Sequence, residues 1–471
     1  MTPPRKSIHG SWSSRLAFVL AATGSAVGLG NIWKFPYIAG EHGGGAFVLV
    51  YLACIAMIGI PIMMAEVMLG RRGRQSPINT MRALAAEANA SHAWRWLGWA
   101  GVVAGFLILS YYSVIAGWAL AYVFRSMAGA FSGATADGVG SIFTQLTEDP
   151  ERLLAWHTIF MVMTMIVVAR GVKSGLEQAV RFLVPALFVL LILLDGYAMA
   201  SGAFDQGLRF LFTPDFSKID ANGVLIAMGH AFFTLSLGMG AIMVYGSYLP
   251  DRASVARTSI TIALLDTLVA LLAGMAIFPL VFSNGLEPGA GPGLIFQTLP
   301  IAFGHMTGGV VFGTLFFVLL VFAAWTSAIS LIEPAVAWLV ENKGVTRVHA
   351  SVYAGAATWG VGLLTILSFN RWSDIHPLSF ISIFEEATVF DLLDYLTANI
   401  MLPLGGLAIA IFSAWVMRRQ DSVQELDMGE GAAYTLWHFL VRYVTPVAVI
   451  IVFLNVTGLV DFSHLFRAGQ V

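Results

Sequence analysis

Long apolar stretches separated by short polar ones run along the whole chain. A helix crosses a bilayer with about 20 apolar residues, within a range of about 17–25. Eleven stretches reach that range: 13–39, 44–70, 96–125, 153–170, 177–201, 221–248, 256–284, 308–340, 347–368, 388–417 and 434–460. They are numbered here as helices 1 to 11. The longer connections, at about 126–152, 202–220, 285–307 and 369–387, are rich in Gly, Pro, Ser and acidic residues. None is long enough for a separate domain. In the third, Glu287 to Gly293 is turn chemistry followed by an apolar run too short to span. It reads either as a re-entrant, lid-like hairpin or as a solvated loop.

Two helices interrupt their own pattern. Helix 1 carries Thr23-Gly24-Ser25-Ala26-Val27-Gly28-Leu29-Gly30-Asn31, and helix 6 carries Phe233-Thr234-Leu235-Ser236-Leu237-Gly238-Met239-Gly240. Glycine costs a helix about 1 kcal/mol relative to alanine. Broken backbone at membrane depth is tolerated where it is buried in protein or lines a cavity. Helix 6 is five helices after helix 1, so the interruptions fall at matching places in two oppositely oriented halves. That placement points to a transport site at the midplane. The bland alternative is that Gly24 and Gly28 form a small-residue groove for another helix. Helix 8 adds Thr326, Ser327 and Ser330. Singly, such hydroxyls bond back to a carbonyl one turn earlier. Together with free carbonyls they suit a hard cation such as sodium.

Composition agrees with this picture. Of 471 residues, 58% are hydrophobic and 11% charged, against about 25% charged in soluble domains, and mean hydropathy is +0.80. A net charge of -2 implies no nucleic-acid partner, and the single Cys54 excludes an intrachain disulfide. Met1 to Trp12 is polar and does not read as a cleavable signal. With the N-terminus in the cytoplasm, eighteen Lys and Arg fall on inner segments, six on outer ones, and Lys34 lies within helix 1. This bias sets the orientation, and an odd helix number then places the C-terminus outside.

Ionisable residues inside spanning helices mark candidate sites. Asp266 is deep in helix 7. Lys34 and Asp394, near the outer ends of helices 1 and 10, are placed to close a cavity from outside. Glu341 ends helix 8 on the inner side, within reach of Lys6 or His9. Glu66, Asp195 and Glu333 read as braces for helix ends or exposed N–H groups, and His230 as a satisfied structural histidine. Metal-ligand spacings and a nucleophile with a paired base are missing, so no enzyme is expected. Gly28-Leu29-Gly30 lacks the preceding strand and third glycine of a dinucleotide loop.

The run Trp12 to Phe47, together with Tyr111-Tyr112, Phe233 to Gly238 and Thr326-Ser327, resembles the neurotransmitter:sodium symporter family over nearly the whole chain. The resemblance implies an all-α polytopic membrane protein with a LeuT-type 5+5 inverted repeat and broken helices 1 and 6. It would be one transmembrane domain over 1–471, with repeats at 13–201 and 221–417 and an extra helix at 434–460. It implies two sodium ions. One would touch Ala26, Asn31, Thr234, Asp266 and the substrate carboxylate. The other would touch Gly24, Val27, Ala323, Thr326 and Ser327. The substrate carboxylate would take N–H groups near Leu29 and Gly30 and the Tyr112 hydroxyl. Its ammonium would take carbonyls of Ala26, Phe233 and Thr234 and the Ser236 hydroxyl. Ile108, Phe233, Met239, Ser327 and Leu331 would shape the side-chain pocket. Lys34, Asp394, Tyr112 and Phe233 would form the outer gate, and Lys6, His9, Trp12 and Glu341 the inner gate.

The departures from the family's pattern narrow the expectation. Monoamine transporters of the family carry an aspartate where Gly28 stands, so this substrate should bring its own carboxylate. Asp266 replaces a usual asparagine and would supply the negative charge that chloride gives elsewhere. Lys34 and His9 replace the family's usual basic gate residues, and Met239 replaces a common phenylalanine. The expectation is a chloride-independent, sodium-coupled importer of neutral, hydrophobic or aromatic L-amino acids in a bacterial plasma membrane. Its partners would be that substrate and membrane lipid. The alternatives are the same mechanism for small or imino acids, and an ion channel.

Overall fold

The computed structural model describes residues 7–288, 293–457 and 460, so Lys6 and the turn residues 289–292 lie outside the described part. Among the described residues, nine helices are continuous and apolar enough to cross a membrane: Gly45–Gly73, His92–Met127, Pro150–Ala169, Val172–Met199, Val255–Ser283, Gly309–Lys343, Arg347–Ser368, Val389–Val416 and Ala432–Asn455. They are helices 2 to 5 and 7 to 11. Helix 1 is broken into Arg15–Ala26 and Gly30–Glu41 with a bend of 51°. Helix 6 is broken into Ala221–Thr234 and Ala241–Ser247. Helices 3 and 8 form the centre, with 78% of their apolar windows buried, while helix 11 is peripheral at 28%.

Both breaks follow from local chemistry. In helix 1 the Val27 backbone is extended (φ −68°, ψ 110°). Of the three glycines there, only Gly28 lies in the gap. Gly24 stays helical and Gly30 opens the second piece. A Cβ on Gly24 would meet Val184 Cγ2 at 2.9 Å and Thr326 Cβ at 3.1 Å. The break and the packing groove therefore coexist, with Gly24 serving the approach of helices 5 and 8. In helix 6, Ser236, Gly238 and Gly240 take φ of 54°, 80° and 74°. The left-handed form costs a non-glycine residue about 1–2 kcal/mol, so Ser236 is held there by its surroundings. A Cβ on Gly238 would lie 2.6 Å from the Leu402 carbonyl oxygen, so a glycine is needed where helix 10 crosses the gap.

The intramembrane acids divide. Glu66 Oε2 accepts the freed Gly238 N–H at 3.1 Å. Glu333 accepts from the Tyr248 hydroxyl at 2.8 Å and pairs with Arg347 at the start of helix 9. Asp195 does not act as a brace: neither carboxylate oxygen has a hydrogen-bond partner among the described residues. The expected bracing of a helix end or an exposed N–H group is absent there, because no donor among the described residues comes within hydrogen-bond distance of it. Beyond the undescribed turn, Leu294–His305 is an apolar helix, with Leu294, Ile295 and Phe296 buried. Phe296 meets Trp33, Trp118 and Tyr122 edge-on. This segment is thus a buried helical element rather than a solvated loop.

Helix 2 lies so close to the second half of helix 6 that a Cβ on Gly70 would fall 1.9 Å from the Met243 carbonyl oxygen. Overpacking a core costs about 1–3 kcal/mol. Gly70→Ala is expected to lower the melting temperature of the detergent-purified protein. Gly140→Ala, where an added Cβ meets nothing within 4 Å, should leave it unchanged.

Candidate transport site

The two breaks face each other, and their freed backbone groups are shared out around one small pocket. The Gly28 N–H, which an unbroken helix would give to the Gly24 carbonyl, goes instead to Asn31 Oδ1 at 3.0 Å. The Leu29 N–H reaches the Tyr112 hydroxyl oxygen at 3.2 Å. The Ser25 carbonyl accepts from Ser327 at 2.7 Å and from Ser236 at 2.9 Å, tying helix 1 to helices 8 and 6. The Ser25 hydroxyl donates to Ser330 Oγ at 2.7 Å. The pocket has a volume of about 20 Å³ and is lined by Ala26, Gly28, Leu29, Gly30, Ile108, Tyr112, Phe233, Ser236, Met239, Ser327 and Leu331. All the residues expected to meet the substrate line it except Thr234, which lies just outside.

Thr234 belongs to a buried polar cluster beside the pocket. Asn31 Nδ2 donates to Asp266 Oδ1 at 2.8 Å, to the Asp266 carbonyl at 3.1 Å and to Thr234 Oγ1 at 3.0 Å. Thr234 Oγ1 donates to Asp266 Oδ2 at 3.0 Å. Asp266 is fully buried. Three of the four protein residues expected at the first sodium are therefore in mutual hydrogen-bond contact, and Ala26 lines the adjoining pocket. At the second expected site, Thr326 lies against Gly24. Its hydroxyl donates to the carbonyls of Phe322 at 3.1 Å and Ala323 at 3.0 Å. It donates backwards, as an isolated threonine would, yet its lone pairs remain available to a cation. Val27, Ala323 and Ser327 are buried there with it.

The two faces of the molecule differ. A cavity of about 580 Å³ opens on the face opposite the N-terminus, lined by residues that include Leu29, Lys34, Tyr112, Trp118, Phe233 and Asp394. Tyr112 and Phe233 also line the small pocket, so they form the floor between the two. Lys34 and Asp394 line the same cavity, but Lys34 Nζ sits 4.7 Å over the Phe233 ring, and no ion pair joins it to Asp394 among the described residues. Towards the N-terminal face the path is shut. The backbone N–H of Trp12 donates to the Tyr248 carbonyl at 3.0 Å and its Nε1 to the Tyr245 carbonyl at 3.1 Å. His9 Nε2 lies 3.0 Å from Glu341 Oε1. Glu341 also accepts from the Ser76 N–H, the Ser76 hydroxyl and Asn79 at 2.7, 2.5 and 2.7 Å.

Two features escaped the sequence. Ser25 acts through its carbonyl, and a backbone role leaves no mark on side-chain identity. His230 is not satisfied: both ring nitrogens are buried without a hydrogen-bond partner among the described residues, and the ring packs against Phe35 and, at a tilt, Tyr51.

Two opposed helix breaks around a small pocket, sealed on one face and open on the other, define a membrane transporter with the LeuT-type fold. The Sodium:neurotransmitter symporter family matches residues 9–139 and 138–466, and the chain belongs to that family. It is 42% identical to MhsT, solved in complex with L-phenylalanine, with a TM-score of 0.87 over 95% of this chain and 99% of that one. It is 38% identical to YhdH, an uncharacterized sodium-dependent transporter of Bacillus subtilis, over 96% of this chain and 98% of the relative. An uncharacterized sodium-dependent transporter of Haemophilus influenzae is 33% identical over 94% and 97%. The protein is a multi-pass, sodium-dependent symporter that carries a small-molecule substrate.

A Cβ at Gly28 would lie 2.6 Å from Ser327 Oγ and 2.8 Å from the Tyr112 hydroxyl. Gly28→Ala should displace both hydroxyls and weaken substrate binding about tenfold, the loss of about one hydrogen bond. Equilibrium binding of labelled substrate to purified protein checks this, with the melting temperature as the folding control.

Proposed function

We propose that the protein imports neutral, hydrophobic or aromatic L-amino acids with sodium, independently of chloride, across a bacterial plasma membrane. The observation that carries the reading is Gly28. The space its side chain would occupy holds the Ser327 and Tyr112 hydroxyls. No protein carboxylate can stand there to meet an amine, so the substrate supplies its own. That carboxylate is taken by the Tyr112 hydroxyl and the N–H groups at Leu29 and Gly30. The ammonium is taken by carbonyls of Ala26, Phe233 and Thr234 and by the Ser236 hydroxyl. Ile108, Met239 and Leu331 give the side chain an apolar wall. Methionine adapts its shape, which suits ligands larger than the contracted cavity. The complex of MhsT with L-phenylalanine supports the same class.

Sodium 1 is held between Ala26, Asn31, Thr234, Asp266 and the substrate carboxylate, so ion and substrate stabilise each other's charge. Asn31 turns its amide oxygen to the ion and releases the carboxylate of Asp266 to it. That buried carboxylate supplies the negative charge for which a chloride is otherwise needed. Sodium 2 takes the carbonyls of Gly24, Val27 and Ala323 with the hydroxyls of Thr326 and Ser327. The open cavity faces outside, with the N-terminus cytoplasmic and the C-terminus outside. Residues 13–201 and 221–417 are the two inverted repeats, and residues 434–460 form the extra helix. Closure brings Lys34 to Asp394 over Tyr112 and Phe233. Release to the cytoplasm parts Trp12 from Tyr245 and Tyr248, and His9 from Glu341.

In liposomes, an inward sodium gradient in gluconate should drive uptake of labelled L-phenylalanine or L-leucine, and a potassium gradient should not. Competition by unlabelled amino acids ranks the substrates. Competition by glycine or proline alone would move the assignment to small or imino acids, and flux without a fixed ion-to-substrate ratio would indicate a channel. Asp266→Asn should reduce chloride-free uptake about tenfold or more, the scale of a hydrogen-bonded charge, with partial recovery in chloride. Unchanged uptake in gluconate would remove Asp266 from this role. Thr326→Val should raise the sodium concentration for half-maximal uptake about threefold to tenfold, and wild-type sodium dependence would remove the helix 8 site.

A further inference from the structure

The outer surface of helix 10 carries a groove that the transport site does not use. Its volume is about 420 Å³, and it runs between the start of helix 3, from Ala93 to Ala100, and the stretch of helix 10 from Ile400 to Ala408. Helix 3 begins and helix 10 ends on the N-terminal face, where Trp94 meets Phe412 at a ring distance of 5.2 Å. In the described lining the indoles of Trp94 and Trp96 are the only hydrogen-bonding side chains, and the rest is Ala, Leu, Ile, Met and Gly. Both helices span the membrane, and Leu404 between them is 39% exposed, so the groove opens to hydrocarbon. From Ile400 to Ala408 it extends about 12 Å, against about 15 Å of hydrocarbon in one leaflet.

The end of the groove at the N-terminal face is aromatic and basic. Trp96 is 61% exposed and Trp415 is 55% exposed. By helical spacing Trp415 falls on the same face of helix 10 as Leu404 and Ala408. Exposed tryptophans on spanning helices sit at the depth of the lipid headgroups. Each of these two carries a guanidinium. Arg95 lies 5.5 Å over Trp96, and Arg442 of helix 11 lies 4.2 Å over Trp415. Neither arginine joins an ion pair among the described residues, and Arg442 Nε is buried without a hydrogen-bond partner there. A buried polar group without a partner is costly, and native interiors keep few of them. The corner around Arg442 is basic: His438 lies in the fields of both Arg442 and Arg419, and Glu430 pairs with Arg419 at 3.9 Å. A hydrocarbon slot that ends at unmatched cations is complementary to a lipid with an anionic head.

We propose that this groove holds one acyl chain of an anionic phospholipid from the leaflet on the N-terminal face, with its phosphate drawn to Arg95 and Arg442. The bound chain has a structural consequence. Gly405 lines the groove, and a Cβ on it would lie 2.7 Å from the Gly238 carbonyl oxygen. A single glycine therefore separates the groove from the gap in helix 6. The chain fills the space behind helix 10 and keeps that helix seated on the gap, where Gly238 gives its N–H to Glu66. Without it, Trp94, Leu97 and Leu404 lose van der Waals partners on one side. The occupied groove thus stabilises the folded bundle.

Native mass spectrometry of the full-length, detergent-purified protein tests this, with dioleoyl phosphatidylglycerol and dioleoyl phosphatidylcholine as the probes. A basic residue near a membrane surface favours an anionic lipid about fivefold. The first phosphatidylglycerol should therefore bind about twentyfold more tightly than the first phosphatidylcholine. Arg95→Gln and Arg442→Gln should each cut that preference about fivefold, and the double variant should abolish it. Ala408→Trp, which fills the groove from helix 10, should remove the tight phosphatidylglycerol. Ala100→Trp does the same from helix 3 and serves if the first variant fails to fold, and the arginine variants decide the matter if both fail. Phosphatidylglycerol should raise the melting temperature of the wild type and leave that of the groove-filled variant unchanged. Equal affinity for the two lipids, an unchanged preference in the double arginine variant, or tight phosphatidylglycerol binding in a groove-filled variant would each overturn the proposal. So would displacement by glycerol 3-phosphate, which would give the basic corner to a free phosphate, or a wild-type dimer that Ala408→Trp dissolves, which would give the groove to a second copy. No transported substrate enters these measurements, so their outcome is separate from that of the transport reading.

Discussion

Backbone polar groups inside a bilayer have no water to turn to, and the structure is arranged around satisfying those released at two helix breaks. The Gly28 N–H finds Asn31, the Leu29 N–H finds Tyr112, and the Gly238 N–H finds Glu66. The Ser25 carbonyl collects the Ser236 and Ser327 hydroxyls. Each of these partners comes from a different place in the chain. The breaks therefore cannot exist without helices 2, 3 and 8 around them, and those helices are positioned by the breaks.

The helix pattern was legible because the bilayer sets a length that apolar composition reports directly. Among the described residues nine of the eleven predicted helices are continuous, and helices 1 and 6 are each present in two pieces. The residues lining the pocket were legible through the resemblance: the glycine breaks and hydroxyls match the family's motifs, and Ile108, Met239 and Leu331 were carried over with them. What could not be read depends on relative position. Asp195 and Glu66 look alike in sequence, but only Glu66 meets a freed N–H group. Gly24 and Gly28 are four residues apart on one helix, yet one serves packing and the other the break. His230 reads in sequence as one more satisfied histidine, and only the structure shows that neither ring nitrogen has a partner among the described residues.

The seal on the N-terminal face is built differently from the floor of the vestibule. Glu341 gathers His9, Ser76 and Asn79, and Trp12 is fixed by two carbonyls and two tyrosine rings. Directed hydrogen bonds of this kind hold one geometry and are lost together when the elements part. The floor of Tyr112 and Phe233 is largely aromatic, and aromatic contacts tolerate sliding. The same bundle thus combines a face sealed by directed hydrogen bonds with a floor made largely of aromatic rings.

Ser25 ties the proposed ion sites to helix position. Its carbonyl holds helices 6 and 8 through Ser236 and Ser327, while its neighbours Gly24 and Ala26 are the residues proposed above to offer carbonyls to sodium. A cation near Gly24 and Ser327 would draw the Ser327 oxygen towards itself and alter its bond to Ser25. A cation near Ala26 and Thr234 acts on the neighbouring peptide and on the end of the first half of helix 6. Either event changes the same short piece of backbone from opposite sides. Coupling between ions and substrate then needs no long pathway: one extended turn of chain, held by hydrogen bonds weaker than ion coordination, is where the competing demands meet.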